Sequence, residues 1–217
     1  ATLANHGIYN EPISILRIED KDGMLIDRFT TYAREAIPEE TAYIVTDMMR
    51  SAIDQGTGAS SRFRYNFHRP AAGKTGTTQG YADAWFVGFT PQLAGGVWVG
   101  FDDQRISFTG DYGQGARAAL PIWAMFMHDV YEKLQLPLED FEVPASGNIV
   151  PVKFCRESIY ELGDPKLYSN TCRTGILTDI VNIKDLPETF DAFRDTTVKI
   201  NTRYSVQDSS REAREIH

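Results

Sequence analysis

At 217 residues, with 42% hydrophobic and 24% charged residues, the chain is long enough to bury the core of one globular domain with a small appendage, and its composition is not that of a disordered segment. Lys and Arg total 22 against 30 Asp and Glu, and the net charge of -8 gives a surface that repels phosphate backbones and anionic lipid heads, so nucleic acid is not an expected partner. No run of about 18 apolar residues occurs that would read as a membrane-spanning helix. The chain opens at Ala1 without Met or a charged-then-apolar leader, so its natural start is expected upstream and it is read as a piece of something longer.

Residues 11 to 30, EPISILRIEDKDGMLIDRFT, alternate apolar and polar positions on either side of Asp22-Gly23, the dipeptide that most readily enters a type I′ turn, and predict a β-hairpin. After Pro38 the period changes. Ala42, Ile44, Val45, Met48, Met49, Ala52 and Ile53 recur at helical spacing behind Glu39 and Glu40, predicting an amphipathic helix that ends near Gly56-Thr57-Gly58 with Met48 and Met49 in the core. The basic and aromatic segment RFRYNFHRP is read as a loop packing on the domain rather than a glycan or lipid site.

Three strands follow: Gly73 to Gly80, ADAWFVGFT and GGVWVGFDD, the last two joined by a tight turn at Pro-Gln-Leu-Ala, which together suggest a meander. Leu120, Ile122, Trp123, Phe126, Met127, Val130, Tyr131 and Leu134 then mark a second long helix that closes the domain. Pro137 begins a change of character. The division expected is therefore a main domain over 1–136 and a loop-like, polar extension over 137–217, with the last dozen residues mobile. Cys155 and Cys172 both lie in that extension, a placement compatible with one disulfide or with two free thiols. His6, His68, His128 and His217 share no ligand spacing, and Asp102, Asp103 and Asp111 lack the regularity of a calcium loop.

Lys74-Thr75-Gly76-Thr77 is the arrangement with chemistry in it. A phosphate-binding loop would need Gly at position 68, which is His68, and a helix directly after, which Gly76 and Gly80 interrupt. The other chemistry that uses this string is acyl transfer by serine penicillin-recognising enzymes, where the triplet lies on a strand at the wall of the cleft. There a cationic Lys74 attracts a donor ending in a carboxylate, and the Thr75 and Thr77 hydroxyls donate to it. Gly76 lets a peptide lie against the strand, and the Thr77 N–H is placed to point into an oxyanion hole.

The surrounding GKTGTTQGYADAWFVGFTPQLAGGVWVGFDD, the GTGA at 56 to 59, the ARAALPIWAMFM at 116 to 127 and the opening ATLANHG resemble, in order and separation, the bifunctional class A penicillin-binding proteins. The resemblance covers residues 1 to about 134 and is loose beyond. It implies an α+β fold, an antiparallel sheet flanked by helices of the serine β-lactamase and penicillin-binding type, of which this chain is part. It also implies a D,D-transpeptidase acting on peptidoglycan stem peptides, mimicked by beta-lactam antibiotics, with no metal or organic cofactor, on the periplasmic face of the inner membrane. Lys74 and Thr77 carry the catalytic roles by this likeness, Thr75, Gly76 and Thr77 the substrate, with Asp83 tying down the strand turn and Trp85 filling the core in support. Cys155 and Cys172 become a disulfide candidate. Arg117 is expected to cap a helix rather than to bind the same donor carboxylate.

The family's Ser-x-x-Lys is missing: Ser14 leads to Arg17, Ser51 to Asp54 and Ser158 to Glu161. Ser146-Gly147-Asn148 spells Ser-x-Asn but lies far downstream of Lys74, contrary to family order. The nucleophile is therefore expected upstream of this chain, whose folding partner would be the upstream half of the same domain. The chain alone is expected not to acylate. The alternatives are a non-catalytic penicillin-binding-like scaffold and a β-lactamase-related hydrolase, which the AWFVGFTP and LPIWAMF contexts disfavour.

Overall fold

The computed structural model describes residues 1–103 and 105–195. The chain divides into two compact units, one of Ala1–Pro144 and one that starts at Ala145. The first extends past Pro137 because Phe141 stacks edge-on against Phe89 at 5.7 Å and Asp140 pairs with Arg50 at 3.3 Å. The expected mobility of the last dozen residues lies outside the described residues.

The first unit opens with two nested ribbons. Strand β1 (Ile8–Asn10) pairs with β4 (Ala33–Glu35), and between them β2 (Arg17–Glu19) pairs with β3 (Leu25–Arg28), all antiparallel. The β2–β3 hairpin falls where the alternation placed it, but its turn is not type I′. Only Gly23, at φ 82°, takes positive φ there; the Gly23 N–H donates to Asp20 O, and the Asp20 carboxylate accepts from the Asp22 and Met24 N–H groups. A side chain that satisfies the turn's own donors favours a type I turn followed by a left-handed glycine, with a register shift at Ile18/Glu19. Gly7 is fixed more severely. Its φ is 88° and a Cβ there would lie 2.0 Å from Ile37 O.

Helix α1 (Glu39–Asp54) and the short α2 (Ser60–Phe63) lead into a three-stranded antiparallel meander, β5 (Ala72–Thr77), β6 (Asp83–Phe89) and β7 (Ala94–Gly100), in the order β5-β6-β7. Helix α3 (Gly115–Leu134) packs across it. The fold is therefore α+β, an antiparallel sheet flanked by helices. Period two decides the two faces. Ala84, Phe86 and Gly88 point at α3 and are buried, whereas Trp85 and Val87 point the other way and are 44% and 50% exposed.

Trp123 is the centre of the core. Its ring meets Phe86 at 5.0 Å and Phe67 at 5.4 Å, both edge-on, within a cluster that includes Ile53, Leu120, Met127 and Tyr131. The slot it fills is opened by Gly88, where a Cβ would approach the ring to 2.8 Å, and Gly95, where it would lie 3.5 Å from the indole nitrogen. That nitrogen finds no acceptor among the described residues, a cost of about 1–3 kcal/mol that the burial of the ring outweighs. Helix α1 turns a narrower face to the core than its periodicity suggests. Ala42, Thr46 and Ile53 are buried, but Met48 is 68% exposed because it sits off the stripe those three residues define. The RFRYNFHRP loop packs only in part: Phe67 is buried and Phe63 is 72% exposed.

The second unit is more regular than its proline content suggests. Strands β8 (Ile149–Cys155) and β9 (Ile176–Asn182) pair along their full length. The hairpin was missed because no short turn joins its strands. Residues 156–175 intervene, and Pro151 is tolerated because the second edge of β8 is bridged only further on, by Leu167 at Phe154. A disulfide between Cys155 and Cys172 closes that excursion, and the buried Ser158 Oγ donates to Cys155 O and accepts the Lys166 N–H. Lys166, whose side chain is only 13% exposed, pairs with Asp195 at 3.1 Å and Asp164 at 3.4 Å; Arg194 also reaches Asp195 at 3.1 Å.

Two outcomes are expected of this unit. Reducing the disulfide, or replacing Cys172 by Ser, should cost about 3 kcal/mol of its stability, read as a lowered unfolding midpoint in denaturant. Burial pushes the Asp195 carboxyl up, but hydrogen bonds from the Asp191 N–H, Lys166 and Arg194 outweigh it and hold the group below its ordinary value. Its contribution is therefore complete above the ordinary carboxylate range and is lost as pH falls through the depressed value, so Asp195→Asn should flatten the acid limb of stability against pH while leaving the neutral region shallow.

Candidate active site

Strand β5 carries Lys74-Thr75-Gly76-Thr77 on the edge of the meander, paired with β6 alone, in the register Lys74↔Val87, Thr75↔Phe86, Gly76↔Trp85 and Thr77↔Ala84. Lys74 and Thr77 are exposed and Thr75 and Gly76 half-buried. An edge strand leaves one row of backbone donors and acceptors free to take an extended chain. The triplet lies on a strand, as the acyl-transfer reading requires and the phosphate-loop reading forbids.

Each polar side chain of the triplet is held by a specific partner. Lys74 Nζ donates to Thr75 O at 2.8 Å and, weakly, to Thr75 Oγ1 at 3.5 Å, so the ammonium lies along its own strand edge with no carboxylate in ion-pairing range among the described residues. Thr75 Oγ1 is 3.1 Å from Thr57 Oγ1, of the GTGA segment. Thr77 Oγ1 accepts the Gly115 N–H at 3.1 Å. A hydroxyl that accepts from a fixed N–H keeps its own proton to donate outward, and this N–H belongs to the first residue of a 20-residue helix, where the backbone dipole is positive.

Gly115 is required at that contact. A Cβ would fall 2.3 Å from Trp85 O and 2.5 Å from Gly76 O, so only glycine lets α3 start directly against β5 and β6. Sequence reasoning gave neither Gly115 nor Thr57 an individual role. The GTGA string and the glycine before ARAALPIW were the signals available.

The supporting residues differ from expectation. Asp83 does tie down the turn, but through its main chain: its N–H donates to Thr78 Oγ1 at 2.8 Å and its C=O accepts the Thr78 N–H at 3.1 Å. Its carboxylate instead accepts the Trp98 Nε1–H at 2.9 Å, bridging to β7. Trp85 does not fill the core. Opposite Gly76 it shares the face of Lys74 rather than the face of α3, and lies 6.3 Å from Trp98, which is also 44% exposed. Arg117 does not cap carbonyls, because it sits in the first turn of α3 where N–H groups are the free ends; it pairs with Asp111 at 3.4 Å.

With this geometry in view, the family is plain. Residues 1–120 match the model of the penicillin binding protein transpeptidase domain, and the chain belongs to that family. It is 36% identical over 149 residues to penicillin-binding protein 1A of Aquifex aeolicus, covering 69% of this chain and 20% of that protein. It is 33% identical over 175 residues to penicillin-binding protein 1A of Rickettsia prowazekii, covering 70% of this chain and 21% of that protein. The chain thus spans about a fifth of the length of these curated relatives. Penicillin-binding protein 1A of Haemophilus influenzae shares the fold, with a TM-score of 0.70 at 20% identity over 88% of this chain and 32% of that structure. Among the described residues no helix is long and apolar enough to cross a membrane.

Gly115→Ala tests the contact between helix and strand. Alanine normally favours a helix, yet here the added methyl should destabilise by about 1–3 kcal/mol, seen as a lowered melting temperature, because two backbone carbonyls must yield.

Proposed function

We propose that this chain supplies the substrate-binding and oxyanion strand of a peptidoglycan D,D-transpeptidase whose serine nucleophile lies upstream of it in the whole protein. The observation that supports the reading most directly is the polar set on the edge strand β5: on its outer face a Lys74 ammonium without a carboxylate partner among the described residues, and on the face of α3 an exposed Thr77 hydroxyl whose acceptor side is occupied by the Gly115 N–H. Both keep donors free for a ligand that brings negative charge and lies along the strand edge.

In the reaction, the serine oxygen bonds to the penultimate D-alanine carbonyl carbon of a stem peptide and its proton passes to a neighbouring base. The bond to the terminal D-alanine nitrogen then breaks as that nitrogen takes the proton back from the base, and the residue leaves as the free amine. An amine of a second stem takes the acyl group and releases the serine. The terminal carboxylate of the donor sits against Lys74, Thr75 and Thr77, while Gly76 leaves room for the donor backbone beside the strand. The Thr77 N–H donates to the carbonyl oxygen as it becomes an oxyanion, an interaction strongest in the transition state. Beta-lactams, which carry a carboxylate beside a strained amide, fit the same strand.

The outward apolar face supports an upstream partner. Trp85, Val87 and Trp98, 44%, 50% and 44% exposed, share the face of Lys74 and Gly76, and burying them would contribute at about 25 cal/mol per Å². In this reading the preceding half of the domain covers them and brings the serine to Lys74. The whole protein is a class A enzyme with a glycosyltransferase domain as well, anchored in the inner membrane by a segment outside this chain and acting in the periplasm, where Cys155 and Cys172 stay oxidised.

Labelling with a fluorescent penicillin, read by intact mass, tests this on the 217-residue chain and on a chain extended upstream to its natural start. An adduct on the longer chain only is the expected result, and Lys74→Ala should slow its formation by about 10²–10⁴-fold. An adduct on the 217 residues alone would mean that the nucleophile lies within them. No adduct on either would favour a non-catalytic scaffold, and rapid loss of the adduct to water a hydrolase.

A further inference from the structure

Beside the acyl-transfer strand, on residues that its chemistry does not use, lies a cleft of about 680 Å³ between the segment from Gly56 to Tyr65 and the start of α3. Its wall on the strand side is Thr57, the residue whose hydroxyl meets Thr75 Oγ1 at 3.1 Å, so the cleft opens next to the triplet. Two guanidiniums, Arg64 and Arg117, and three rings, Phe63, Tyr65 and Tyr112, line it, and no acidic side chain does. That composition is notable in a chain of net charge -8.

The side chains are held out rather than folded in. Phe63 and Tyr112 are each 72% exposed on opposite sides of the cleft, although neighbouring Phe67 is buried. Arg64 has no ion-pair partner among the described residues, and Arg117 shares its charge with Asp111 alone, at 3.4 Å, with both side chains more than half exposed. The segment carrying Phe63 and Arg64 is nonetheless well anchored: the Arg62 guanidinium pairs with Asp54 at 2.6 Å and donates to Phe67 O and Arg69 O. Rigid backbone, a guanidinium at Arg64 without an ion-pair partner among the described residues and open aromatic faces together suit a ligand with a carboxylate on an aliphatic stem, the carboxylate taken by a guanidinium fork and the stem lying on the rings.

We infer that this cleft is a second recognition site, which binds a side-chain carboxylate of the stem peptide away from the bond that reacts. The inference rests on the acyl-transfer reading of β5 and deepens it. Binding a non-reacting carboxylate through Arg64 would hold the peptide in line with β5, and the Thr57–Thr75 contact would couple occupancy of the cleft to the position of the triplet.

The test uses the full-length protein and equilibrium binding, followed by fluorescence anisotropy. The probes are a dye-labelled peptide that ends in D-Ala-D-Ala and carries one side-chain carboxylate, and the same peptide with that carboxylate amidated. The wild type should prefer the carboxylate by about tenfold, a preference that shrinks as salt is raised. Arg64→Gln should bring the two affinities together, Arg64→Lys should restore part of the difference, and Tyr112→Ser should weaken both peptides severalfold. Equal affinities in the wild type would overturn the inference without recourse to any variant, as would a preference that survives Arg64→Gln or one that inorganic phosphate abolishes at the concentration of the peptide. A protein that takes no penicillin label but keeps an Arg64-dependent preference would refute the acyl-transfer reading and leave the cleft as a binding site.

Discussion

Trp123 lying in a slot floored by glycine is the contact from which the rest of the first unit follows. Gly88 and Gly95 remove the side chains that would hold α3 away from the meander, and Phe86 and Phe67 close on the indole edge-on. Once the helix is seated there, its first residue has one place to go, against the backbone of Gly76 and Trp85, and Gly115 is the residue that fits. The helix therefore does two things with one packing arrangement. It buries the inner face of the sheet, and it brings a dipole-positive N–H to Thr77 on the far edge.

In the acyl-transfer reading proposed above, that second effect is what makes an edge strand a chemical surface. Lys74, Thr75 and Thr77 are each restrained by a partner that comes from a different element: the strand's own backbone, the turn after α1, and the start of α3. The restraint on Thr77 uses the acceptor side of its hydroxyl and that on Lys74 one of three ammonium protons, so donors of these two remain free. Fixed donors cost little reorganisation when negative charge arrives, which is the physical basis of binding and of transition-state stabilisation in such sites. The cleft lined by Arg64 and Arg117 has the same sign of charge and adjoins the same strand through Thr57.

The second unit is held by different forces. Among the described residues, Phe154, Phe190 and Cys155 are its buried apolar residues. A small core of that kind supplies limited hydrophobic stabilisation, and here a disulfide and a partly buried ion cluster around Lys166 and Asp195 add to it. The Lys166 ammonium, whose hydrogen bond to Asp195 raises its affinity for its proton, and the Asp195 carboxyl, held low, stay charged across the neutral range.

Much of the main unit was legible in the sequence because its signals are local. The periodicity of 42–53 and 120–134 fixed two helices, alternation in ADAWFVGFT and GGVWVGFDD fixed two strands, and GKTG before them placed the triplet on a third. What resisted reading was whatever depends on residues far apart. The β8–β9 hairpin has no short turn to announce it, and the exposure of Trp85 and Met48 is decided by which faces α3 and the core cover, not by hydrophobicity. The type I turn at Asp20–Gly23 was chosen by a side chain that competes for backbone donors. By itself the sequence determined the two long helices, the first hairpin, the meander, the triplet and the family. Only the tertiary structure decided that Thr57 and Gly115 hold the triplet's hydroxyls and that Asp83 reaches Trp98, because those are hydrogen bonds between elements 15 to 38 residues apart, which no local pattern encodes.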